Sequence, residues 1–75
     1  MHRYANLSGQ SGVLAYELGA GAITVEFAGG DRYLYTQASA GAVHIARMHA
    51  LAQAGRGLST YISRHVRDRY ARKLD

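Results

Sequence analysis

Two glycine-bearing breaks, Gly19-Ala20-Gly21 and Gly29-Gly30-Asp31, cut residues 13–36 into three short runs of alternating polarity. A short run with period two is a half-buried strand, and glycine accepts the positive φ that tight connections need. Three such runs predict an antiparallel meander. In the first, Leu14, Tyr16 and Leu18 point one way and Val13, Ala15 and Glu17 the other. In the second, Ile23, Val25 and Phe27 face a core while Thr24 and Glu26 face out. In the third, Tyr33 and Tyr35 share one face and Leu34 takes the other. Such a sheet has one apolar face that must be covered.

The cover is expected from the residues that follow. Ser39 suits a helix N-cap, residues 40–54 are strong helix formers, and Gly55 is a natural stop. At 100° per residue, Ile45, Met48, Leu51 and Ala52 form one stripe that also takes in His44, with Val43 off to the side. A hinge at residues 55–57 leads to a last helix, where Leu58, Tyr61, Ile62, His65 and Val66 make the buried stripe. Arg64 and Arg67 then lie on the opposite, wet side. Beyond Val66 the stripe would continue with Arg69 and Lys73, which bury at high cost, so the helix is expected to end near Asp68, with Tyr70 anchoring the tail. The predicted fold class is α+β: a three-stranded antiparallel meander with two C-terminal helices on one face. Residues 1–12 read as a flexible N-terminal segment, 13–70 as one domain and 71–75 as a basic tail.

Length and composition set limits on this domain. A chain of 75 residues buries only roughly 60% of the surface its unfolded form exposes. It has no cysteine, so neither a disulfide nor a thiolate–metal site braces it, and a cytoplasmic setting is the expectation. Residues 1–12 carry no apolar run of the secretory kind, and no stretch approaches the ~18 apolar residues of a membrane span.

The formal charge is +4, and all of it sits in the last quarter. Before residue 56, three arginines balance three acids; from Arg56 onward, six cations stand against Asp68 and Asp75. That asymmetry points to an anionic partner, either nucleic acid or an acidic protein surface.

Catalytic arrangements are not apparent. No GxSxG elbow occurs, cysteine is absent, and Glu17 and Glu26 fall on outward strand positions instead of flanking a cleft. His44 and His49 are five apart, about 140° around a helix, whereas helical metal ligands need a spacing of three or four. The chain is therefore expected to be non-catalytic, without metal or cofactor. What remains is a surface. Arg64 and Arg67, assisted by Arg56, Arg69, Arg72 and Lys73, suit contact with a phosphate backbone. Tyr70, and with it Tyr33 or Tyr35, suits stacking on unpaired bases, as Tyr61 would if exposed.

The central Tyr33-Leu34-Tyr35, together with residues 61–70, YISRHVRDRY, resembles the KTSC domain, a small family found at the C-terminus of some lysyl-tRNA synthetases and alone in bacterial proteins. Tyr61, Val66, Arg67 and Tyr70 occupy matching places in the second stretch, and the resemblance spans about residues 13–70. Ser63 stands where the family has asparagine and Ser59 where it has glycine. The resemblance implies RNA binding, through the synthetase association. The leading expectation is thus a module binding RNA or single-stranded nucleic acid, as a monomer or weak homodimer, away from membranes. The alternative is a protein-interaction or dimerisation module that uses an edge strand or the outer sheet face with Ala22, Ala28 and Leu34.

Overall fold

The computed structural model describes residues 1–7, 9 and 11–74; Ser8, Gln10 and Asp75, which belong to the expected N-terminal segment and tail, lie outside the described residues. The fold is α+β, an antiparallel sheet with helices on one face. Its centre is the expected meander: β2 (Val13–Gly19), β3 (Ala22–Phe27) and β4 (Arg32–Thr36). The sheet is wider than three strands, however. Among the described residues it has five, in the order β1-β2-β3-β4-β5. β1 (His2–Arg3) pairs with β2, and β5 (Arg72–Lys73) pairs with β4. Each outer strand is two residues long, too short to show any period.

The chain beside each outer strand is also fixed. Tyr4 is 3% exposed and belongs to the core, and its hydroxyl accepts the Leu58 N–H at 3.2 Å. At the other end, the N–H groups of Ala71 and Leu74 donate to the carbonyls of Leu34 and Arg32.

A second correction concerns β2. Val13 pairs with Phe27 and Ala15 with Glu26, which leaves Leu14 as an extra residue in the ladder. This bulge resets the phase. Val13 turns into the core with Tyr16 and Leu18, and Leu14 is 48% exposed. The core face of β3 and β4 follows the alternation, with Ile23, Val25 and Tyr35 buried.

The helical layer has three helices among the described residues where two were expected. α1 (Gln37–Ala40) is capped by Thr36, not begun by Ser39. Thr36 Oγ1 accepts the Ser39 N–H, and Ser39 Oγ accepts the Thr36 N–H, a reciprocal capping box. Gly41 breaks the helix, and α2 (Ala42–Ala54) begins. Ile45, Met48 and Ala52 are buried against the sheet, and Val43 stands in solvent. Full burial of a side chain such as Met48 contributes about 1.5–3 kcal/mol. His49 Nε2 meets the Ala22 carbonyl at 2.6 Å, tying α2 to β3. Gly55, at φ 77°, ends the helix and donates its N–H to the last carbonyls.

After Gly57 comes α3 (Leu58–Tyr61), continued by one π-helical turn, Ile62–Val66. Leu58, Ile62 and Val66 are buried, as their spacing predicts; His65 is exposed instead and lies against the Tyr61 ring at 4.4 Å. The wide turn closes with the Arg67 N–H donating to the Ile62 carbonyl. Arg67 then takes φ 42° and ψ −112°, and the chain turns back toward the sheet.

Candidate nucleic-acid interface

The return of the chain after Arg67 builds one wall of a groove. An open groove of about 770 Å³ lies between the inner face of the sheet and the end of the last helix. Phe27, Tyr33 and Tyr35 come from β3 and β4, Ile62 and Ser63 from the π turn, and Tyr70 from the returning chain. Three charged residues edge it: Asp31 from the β3–β4 turn, and Arg67 and Asp68 from the turn after the helix.

Period two explains the strand contribution. Phe27, Tyr33 and Tyr35 all occupy inward positions, on β3 and β4. Their rings touch in series. Phe27 meets Tyr33 edge-on at 5.8 Å, Tyr33 lies 4.6 Å from Tyr70, and Tyr70 meets Tyr35 edge-on at 6.2 Å. Tyr33 and Tyr70 are half-buried, so each keeps ring surface in contact with the groove. Tyr35, 2% exposed, supports the floor and offers no free face. Burial, and then Tyr33, Tyr70 and Asp68, push its phenol up to about 12, so it stays protonated at neutral pH. Its hydroxyl makes a long contact, 3.5 Å, to the Arg67 carbonyl.

The cations divide into separate groups. Arg67 lines the groove, and its Nε donates to the Ser63 carbonyl at 3.1 Å, which fixes the guanidinium on the rim. Arg64, one turn earlier, and Arg69, just after, are both exposed and make no ion pair among the described residues. Of these three, Arg67 lines the groove, and Arg64 and Arg69 lie outside its lining.

The other three sequence candidates also lie outside the lining. Lys73 pairs with Asp31 at 3.4 Å and sits 6.0 Å from the Tyr33 ring centroid. The hydrogen bond to Asp31 and that carboxylate's charge hold its ammonium pKa above the usual value. Arg72 is paired in register with Leu34 and so projects from the opposite, outer face of the sheet. Arg56 lies in the α2–α3 turn, at the opposite end of the last helix. Tyr61 faces elsewhere as well, its hydroxyl against His44 Nδ1 at 2.5 Å.

Phe27, Asp31 and Asp68 are groove residues that the sequence reading did not single out. Phe27 reads as core because it alternates with core residues. Asp31 reads as turn chemistry, and nothing local says that the chain after Val66 folds back beside it.

Among the described residues, no three His, Asp or Glu side chains converge as a metal site, and no helix is long and apolar enough to cross a membrane. Compared with known proteins, the chain matches no family model, no curated protein and no solved structure.

Proposed function

We infer that this protein is a non-catalytic module that binds single-stranded nucleic acid, RNA in particular. An unpaired base stacks in the tyrosine groove, and Arg64, Arg67 and Arg69 hold the neighbouring phosphates. One observation carries this reading: Arg67 lines the aromatic groove with its guanidinium held on the rim by the Ser63 carbonyl, and Arg64 and Arg69, near it in sequence, are exposed. Single-strand binders combine these two features, aromatic faces that take any base and a basic track that follows the backbone. Asp31 and Asp68 add acceptors at the rim, suited to the exocyclic amino groups of unpaired bases. The resemblance of Tyr33-Leu34-Tyr35 and residues 61–70 to KTSC domains agrees with RNA as the ligand.

An amide-shift titration with short RNA and DNA oligonucleotides tests the reading. Shifts should concentrate at Tyr33, Ser63, Arg67 and Tyr70. Tyr70→Ala should weaken binding by about 1–3 kcal/mol, the contribution of one stacked base. Shifts confined to the outer sheet face, or no shifts at low salt, would overturn it.

A further inference from the structure

The face of the sheet turned away from the helices is uncovered, and its charges are arranged in two halves. Strand register defines two rows across it. One row runs Arg3, Ala15, Glu26, Arg32; the other runs Glu17, Thr24, Leu34, Arg72. The acids therefore stand on β2 and β3 and the bases on β4 and β5, with Arg3 outside on β1. Leu74, whose N–H bonds to the Arg32 carbonyl, continues the first row on the β5 side. Apolar side chains are exposed on the same face: Leu14 is 48% and Leu74 40% exposed, and Leu34 is half-buried. A hollow of about 350 Å³ lies on the β2 side, lined by Met1, Arg3, Leu14, Ala15 and Glu26.

We propose that this face is the interface of a homodimer, closed by a second copy of the chain across a two-fold axis that runs parallel to the strands between β3 and β4. That axis brings β2 over the partner's β5 and β3 over the partner's β4 without changing level along the strands. The two rows then meet in register, with Arg3 on β1 outside the overlap. Glu17 faces the partner's Arg72, and Glu26 faces the partner's Arg32. Thr24 covers the partner's Leu34, and the partner's Leu74 enters the hollow beside Ala15. Glu26 and Arg32 already meet within one chain at 3.8 Å, so the dimer gathers four alternating charges around the axis.

Each contact occurs twice, as an isologous interface requires, and two sheets stacked in this way pack about 10 Å apart. Within a single chain, Glu17 and Arg72 are three strand spacings apart, about 14 Å, and cannot pair. Their opposite charges serve a partner chain. A face this small lies at the low end of stable interfaces, so association should be weak, with a Kd on the order of 0.1 mM.

The test is sedimentation equilibrium of the full chain up to about 1 mM, with charge-reversed variants. Wild type should dimerise. Glu17→Arg and Arg72→Glu should each raise the Kd at least ~10-fold, because each sets like charges across the axis twice. An equimolar mixture of these two variants should restore association as a heterodimer, since every cross-chain pair is again opposite in sign. Far-UV circular dichroism checks that each variant is folded. Should either lose its folded spectrum, Thr24→Lys, at the centre of the same face, takes its place and must give a monomer. A wild type that stays monomeric at ~1 mM, single variants that dimerise as well as wild type, or folded variants that fail to associate when mixed would each overturn the proposal. The outcome does not depend on whether the tyrosine groove binds nucleic acid.

Discussion

Among the described residues, Arg67 is one of two non-glycine positions with a positive φ. Its φ of 42° with ψ −112° falls where side-chain-bearing residues are rarely found, and such strain costs on the order of 1–3 kcal/mol. Glycine relieves it while giving the unfolded chain more freedom. Arg67→Gly should therefore raise the unfolding free energy by about 0.5–1 kcal/mol and at the same time weaken nucleic-acid binding. Chemical denaturation and a binding titration on one sample check this; a clear loss of stability would contradict it. The contrast is Gly55, at φ 77°, where an added Cβ would lie 2.6 Å from the Ala5 Cβ. Here Gly55→Ala should destabilise by more than ~1 kcal/mol. Tyr35 makes a pH-dependent prediction. Its phenol titrates near 12 in the folded chain against an ordinary 10.0, so the folded state holds that proton more tightly. The resulting stabilisation is fully present below pH ~10 and is lost as pH rises through ~12, by about 2–3 kcal/mol at most. Tyr35→Phe should flatten that fall; an equally steep fall in the variant would assign it to other groups.

At the scale of elements, periodicity made the meander and both apolar helix stripes legible. Ile23, Val25, Ile45, Met48, Leu58 and Val66 are all buried where their spacing puts them. What escaped the sequence has no period. The edge strands are two residues each, and a strand so short is defined by its partner. The bulge at Leu14 inverts the phase at the start of β2, and only pairing with Phe27 and Glu26 reveals it. The π turn depends on wide hydrogen bonds, such as that from the Arg67 N–H to the Ile62 carbonyl, that helix propensity does not encode. These edges bear on function, because β5 holds Tyr70 in place over Tyr33. The Ala71 and Leu74 amides should accordingly exchange with solvent far more slowly than free-chain amides. Exchange at free-chain rates would mean that β5, and the wall of the groove with it, is not held.

For the whole molecule, the basic C-terminus reads from sequence as one surface, and the fold divides it. Arg67 lines the tyrosine groove, Lys73 is drawn to Asp31, and Arg72 passes to the other side of the sheet. The candidate site was thus half legible. Arginine and tyrosine content pointed to it, but the sorting of individual residues depended on the reversal at Arg67 and on strand register. The groove and the outer sheet face lie on opposite sides, so a dimer would carry two grooves open to solvent and could hold two segments of one strand. The most direct test of the central claim is the salt dependence of binding to a short single-stranded RNA. Three phosphate contacts predict a slope of about −2 in log K against log salt, and Arg64→Ala with Arg67→Ala should reduce it to about −0.7. No measurable binding at ~50 mM salt, or a slope that the double substitution leaves unchanged, would contradict the account.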